Sequence, residues 1–203
     1  MTHRIITIGR QFGSGGHEIG QEIADRLGIQ CYDKELITMA AAHGDLPRSW
    51  LADFDEQGAN PWLYESAGHG SLGAQKDRSA SAALFNLQSD VIRMIAGRED
   101  AVIVGRCADC ILRGREGTDL LTVFIAAPFE ARVKRKMRLA RLTQKKAEAL
   151  VKRTDHQRAM YYHSYTGLEW GRRNGYDLYF DSQAQSKEAI IGLVLARYAC
   201  LGQ

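Results

Sequence analysis

No apolar run in this sequence approaches the roughly 18 residues that a membrane-spanning helix needs. Its first residues, MTHRIITIG, also lack the charged-then-apolar pattern of a secretory signal. Both absences lead to the expectation of a cytoplasmic protein. Cysteine is scarce as well: Cys31, Cys107, Cys110 and Cys200 are too few to staple 203 residues. Cys107 and Cys110 do form a C-x-x-C pair, which fits a redox site or half a zinc site. No second C-x-x-C and no histidine at ligand spacing accompanies it. The histidines are scattered; His156 and His163 are spaced to share a helix face, which suits surface residues equally well. Internal repeats and low-complexity tracts are missing too. Acid is lacking in one region in particular, since Arg132 to Arg153 holds ten Lys or Arg and a single acid, Glu148. That imbalance points to a polyanionic ligand or to a solvated helix face.

What remains is ordinary globular composition, 45% hydrophobic and 25% charged with a net charge of +3, enough for one domain with a real core. Apolar β-rich runs alternate with helical patterns, which argues for an α/β fold with a parallel sheet covered by helices. Strands are expected at Ile5 to Ile8, Gln30 to Tyr32, Ala101 to Val104, Leu121 to Ile125 and Leu178 to Phe180. Helices are expected at Gly16 to Leu27, Lys34 to His43, Ala83 to Ala96, Pro128 to Ala140, Gln144 to Tyr165 and Ser186 to Leu201. Gly28 stands where a C-cap glycine belongs, and Pro128 at a first-turn position. Gly44 to Ser81 breaks the alternation. Rich in Gly, Ser, Ala and Asp, with Trp50, Phe54, Trp62 and Tyr64 irregularly spaced, it reads as a loop or short-helix excursion able to close over a ligand.

The densest signal lies at Arg4 to Leu27: a β-branched strand, a glycine-rich turn and an amphipathic helix. Gly13, Gly15 and Gly16 allow backbone N–H groups to close around phosphate oxygens, and the helix from about His17 aims its positive end at the same anion. Against the phosphate-loop pattern G-x-x-x-x-G-K-S/T, Arg10 stands at the first Gly and Gly15 at the second. Gly16 replaces the lysine, and His17 the hydroxyl that would hold magnesium. A glycine turn that merely joins strand to helix is the plainer alternative.

Several further segments resemble one family. VIVGR (102 to 106) followed by CADCIL, YDKELI (32 to 37), TVFIAAPFEARVKRKM, VKRTDHQRAMYYHSYTG and YDLYFDSQ are similar, in order and spacing, to segments of the cytidylate kinase-like branch of the P-loop nucleoside monophosphate kinases. The likeness covers about three quarters of the chain and omits about Gly44 to Ser81. It implies a three-layer α/β/α P-loop fold with a five-stranded parallel sheet, a monophosphate-side insertion at about 44–81 and an arginine-rich helical lid at about 132–165.

The resemblance also implies roles. Ser14 and the loop glycines, Gly13, Gly15 and Gly16, with His17, would contact ATP phosphates, with Arg10 beside them. Arg106 would fork onto the acceptor phosphate, a task suited to guanidinium. Arg132, Arg135, Arg153 and Arg158 would be drawn in on closure, with Asp155 orienting an arginine or the acceptor. The expected reaction is transfer of the ATP γ-phosphoryl group to CMP or dCMP, with magnesium. Alternatives are a catalytically weak nucleotide-binding regulator, a kinase for another small phosphate acceptor, or a nucleic-acid binder with steeply salt-dependent affinity. Cytidylate kinases proper carry an acid directly after the arginine of VIVGR; here Cys107 follows, and Asp109 is the nearest acid. Asp33 is either an acceptor-side and magnesium-side carboxylate or the cap of the helix that begins at Lys34. Tyr161, Tyr162 and Tyr165 either stack on a base or pack a helix.

Overall fold

The computed structural model describes the backbone of residues 2–44 and 74–202. Trp50, Phe54, Trp62 and Tyr64 lie outside these residues, as does most of the expected insertion. The chain runs β1 (His3–Arg10), α1 (Gly16–Leu27), β2 (Gln30–Tyr32), α2 (Glu35–His43), α3 (Ala74–Ala96), β3 (Ala101–Val104) and α4 (Ala108–Ile111). It continues with β4 (Thr118–Ala126), α5 (Phe129–Ala140), α6 (Gln144–Thr166), β5 (Leu178–Asp181) and α7 (Lys187–Ala199). All four strand pairings are parallel, in the order β2-β3-β1-β4-β5.

Both faces of the sheet are covered, which is why its strands read as continuous apolar runs and not as alternating ones. Ile6, Ile8, Val102, Val104, Leu121 and Val123 pack one face against Ile19 and Ile23 of α1 and Ile190 and Val194 of α7. Ile5, Ala101 and Ile103 pack the other against Leu36 of α2, Val91, Ile92 and Ile95 of α3, and Ala108 of α4. A smaller cluster joins Val133 of α5 to Ala147 and Val151 of α6, with Phe12 and Phe129 at its edge.

The expected strands β2 and β3 are found at their predicted bounds, while β1 and β4 extend further, paired along their length from His3 opposite Thr118 to Arg10 opposite Ile125. Gly28 closes α1 in the left-handed conformation (φ 66°). Three expectations are corrected. Helix α3 begins at Ala74, so the end of the supposed excursion is helical. Pro128 precedes α5 as its N-cap in an extended conformation (ψ 144°) and is not inside the first turn. Lys34, not Asp33, is the N-cap of α2, and no side chain caps that helix.

Because β1 lies between β3 and β4, the connections from its neighbours diverge at the carboxyl ends of the strands. An open α/β sheet binds its ligands in that crevice. Arg10 ends β1, Asp33 follows β2, and Gly105 and Arg106 follow β3, so chemistry far apart in sequence meets at one edge.

Candidate functional site

The loop from Gln11 to Gly15 carries β1 into α1. Gly13 (φ 86°) and Gly15 (φ 87°) are left-handed, a conformation that side chains resist. Gly15 is also the N-cap of α1. The first-turn N–H groups beyond it have no carbonyl within the helix to bond, and together with the dipole they favour an anion in front of them. The loop is held from several sides. Gln11 Oε1 accepts from the Ala127 N–H at 3.0 Å, and Ser14 Oγ donates to the Gln11 carbonyl at 2.9 Å. Ser182 Oγ donates to the Ser14 carbonyl at 2.7 Å. Asp155 Oδ1, from α6, accepts from the Phe12 N–H at 2.8 Å.

Arg10 explains the missing lysine in steric terms. A Cβ on Gly16 would stand 2.5 Å from Cβ of Arg10, so the residue at the lysine position must be glycine while arginine occupies position 10. The Arg10 side chain passes over Gly16 and ends beside Gly105, where an added Cβ would meet its Nη1 at 1.9 Å. Gly105 is itself left-handed (φ 77°). There Arg10 Nη2 donates to Asp33 Oδ1 at 3.0 Å, and the other carboxylate oxygen lies 2.9 Å from Nδ1 of the exposed His17.

Arg10, Arg106 and Arg158 are all buried at this edge. Arg158 donates to the Arg10 carbonyl at 2.8 Å. Burial pushes the Arg10 guanidinium down from its usual pKa, with Asp33 pulling it back. Burial likewise lowers Arg106, and it pushes Arg158 down to about 9, aided by the nearby charge of Arg10. Asp33 acts on all three arginines as a shared counter-charge. Arg106 reaches this place through a strained turn, for it and Cys107 are left-handed (φ 60° and 56°) directly after Gly105. Such strain persists only where the surroundings over-determine it.

Other expected residues are placed differently. Arg132 is buried in a scaffold role: it donates to the carbonyls of Ala127 (2.9 Å) and Phe12 (3.2 Å) and pairs with Asp155. Arg135 pairs with Glu18 and overhangs the loop, 3.3 Å from where a Cβ on Gly15 would be. Arg153 lies on the exposed side of α6. Asp109 does not join the arginines; buried, it accepts a 2.6 Å hydrogen bond from Tyr162, and burial raises its pKa. Cys107 and Cys110 are free thiols. Burial and the Asp109 charge raise both, which opposes thiolate chemistry. His156 and His163 are exposed. Tyr161 and Tyr162 are buried in one cluster with Phe85 and Tyr165, whose rings stack on each other at 4.0 Å.

Sequence reasoning missed Lys136, one of ten cations in its run. Its Nζ stands 4.1 Å from the centroid of the ring of Phe12, the second residue of the phosphate loop. It also missed that Asp155, Arg158 and Tyr162 form one stripe of α6, spaced i, i+3 and i+7, which ties that helix to the loop, to the end of β1 and to Asp109 after β3.

A dedicated magnesium site does not fit these residues. His17 replaces the hydroxyl ligand, Asp33 is engaged by Arg10 and His17, and no cluster of three candidate ligands exists among the described residues. Magnesium keeps much of its water shell and is commonly bound through substrate phosphates.

A five-stranded parallel sheet in this order, with a glycine loop leading from β1 into a helix, defines a P-loop kinase fold. The chain belongs to the cytidylate kinase-like family, whose sequence model matches residues 5–184. An uncharacterized protein from Eubacterium ventriosum shares 24% identity and a TM-score of 0.70, the match covering 98% of this chain and 99% of that one. A gluconokinase from Sinorhizobium meliloti (17% identity, TM-score 0.56, 96% and 90% covered) shares the fold. So does a shikimate kinase from Bacteroides thetaiotaomicron (15% identity, TM-score 0.53, 98% and 99% covered). No curated protein sequence matches significantly. No described helix is long and apolar enough to cross a membrane.

Proposed function

We propose that this protein transfers the γ-phosphoryl group of magnesium-bound ATP to a nucleoside monophosphate, with CMP and dCMP the first candidates. The observation that carries the reading is the convergence of buried Arg10, Arg106 and Arg158 on the crevice opened by the phosphate loop. Three guanidinium groups brought to one strand edge offer the forked donors that a phosphate dianion accepts. An oxygen of the acceptor phosphate bonds to the γ-phosphorus as the bond to the bridging oxygen breaks, and the electron pair leaves on ADP. This chemistry needs alignment, positive charge and exclusion of water from the protein, and little else. Membership of the cytidylate kinase-like family supports the same reaction class.

One observation favours a different small phosphate acceptor. The acid nearest to Arg106 in sequence, Asp109, is committed to Tyr162 in a buried hydrogen bond, which removes it from contact with a cytosine ring. The deciding experiment measures magnesium-dependent ADP formation against CMP, dCMP, UMP, AMP, GMP and non-nucleotide phosphate acceptors. Selective turnover with CMP or dCMP is the expected result. Turnover with another acceptor alone moves the assignment there, and no ADP above the no-acceptor control with any of them sinks the kinase reading.

A further inference from the structure

The loop lacks the lysine that in P-loop enzymes reaches the β and γ phosphates, and Gly16 cannot be replaced while Arg10 lies against it. The positive charge at the nucleotide phosphates must then come from elsewhere on this chain. Several basic residues adjoin the loop, and Arg158, whose guanidinium stands 5.6 Å from the centroid of the Phe12 ring, already donates to the Arg10 carbonyl. Arg10 is drawn past Gly16 toward Asp33. Arg132 is held by Asp155 and by two backbone carbonyls. Arg135 is paired with Glu18.

Lys136 differs from these arginines. It is only half-buried, its ammonium sits over the ring of the loop residue Phe12, and it makes no ion pair among the described residues. Its surroundings are cationic. Partial burial lowers its pKa first, and the charges of Arg158 and Arg135 lower it further, with Glu18 opposing them. An ammonium held among like charges at a phosphate loop is stabilised by an arriving polyphosphate.

We infer that Lys136, from helix α5, is the catalytic cation that replaces the absent loop lysine at the ATP phosphates. The assignment rests on the phosphotransfer reading above and adds the residue that neutralises the charge developing on the leaving ADP oxygens. The cation–π contact with Phe12 holds the ammonium against a residue of the loop itself.

The test has an arm that does not depend on turnover. Lysine-selective acylation of the wild-type protein, read residue by residue by mass spectrometry, is carried out with and without inorganic tripolyphosphate, MgATP or CMP. Lys136 is expected to be protected by tripolyphosphate and by MgATP and to stay reactive with CMP alone, while the exposed Lys145 reacts throughout. Unchanged labelling of Lys136 under saturating tripolyphosphate overturns the assignment, as does failure of the protein to bind tripolyphosphate at all. Where turnover is measurable, Lys136→Met, which keeps an unbranched apolar stem without the charge, is expected to lower kcat/KM for ATP about 100-fold. The KM for the acceptor stays unchanged, and Lys136→Arg restores most of the loss. Equal ATP kinetics in Lys136→Met and wild type overturns the assignment too. If no acceptor is turned over, the reading of function fails while the labelling still decides the role of Lys136.

Discussion

At the scale of single residues the site is built on one exchange: an arginine enters at the first loop position and a glycine takes the place of the lysine. The 2.5 Å approach between Cβ of Arg10 and a Cβ on Gly16 makes the two choices interdependent. Restoring the common motif with Gly16→Lys is therefore expected to damage the protein. The added atoms meet the rigid base of the Arg10 side chain, and overpacking of this kind costs about 1–3 kcal/mol. Thermal denaturation should show a lowered Tm, with no gain in ATP affinity; a variant as stable as wild type would remove the steric argument. The pair Arg10→Gly with Gly16→Lys relieves the clash, at the cost of leaving Asp33 without its guanidinium partner. This exchange was only partly legible in the sequence. The departures from the motif were visible, but their mutual cause depends on where one Cβ lies. Asp33 was likewise left between a helix cap and a site carboxylate until its bonds to Arg10 and His17 were seen.

At the scale of elements, α6 does more than carry charge. The Asp155 carboxylate accepts from the Phe12 N–H and pairs with Arg132, which in turn holds the carbonyls of Phe12 and Ala127. Asp155→Ala leaves the buried Arg132 without its carboxylate, and breaking a buried pair from one side costs about 3–5 kcal/mol. Chemical denaturation should register that loss, together with weakened binding of ATP; a loss under about 1 kcal/mol, as for an exposed ion pair, would contradict this placement. The elements themselves were legible where pattern and burial agree. Strand β3 has its predicted bounds because all four of its residues are buried inside a sheet covered on both faces, and the edge strand β2 keeps its predicted bounds although Gln30 is exposed. The start of α3 was not, since AQKDRSAS offers no apolar period to follow. The part of α6 as a fastener could not be read from its sequence either, because Asp155, Arg158 and Tyr162 look like separate polar residues until three different partners are known.

At the scale of the whole molecule, the buried arginines store repulsion that a bound anion relieves. Polyphosphate ligands should therefore raise Tm well beyond the effect of chloride at equal ionic strength. Saturation at one hundred times Kd corresponds to about 2.7 kcal/mol of added stability. Thermal unfolding with ATP, tripolyphosphate and matched chloride measures this directly, and equal shifts in all three would argue against a phosphate site. The three ties along α6 have one further consequence. They fasten its second half to the sheet edge, while the half before Asp155, roughly 16 Å at 1.5 Å per residue, packs on α5 and Phe12 among the described residues, through Ala147, Val151 and Val133. The helix pair is in effect a cantilever. A beam held this way bends most at the end away from its anchor, which here is the basic turn at Arg141 (φ 51°), and least at Asp155 and Arg158 beside the loop.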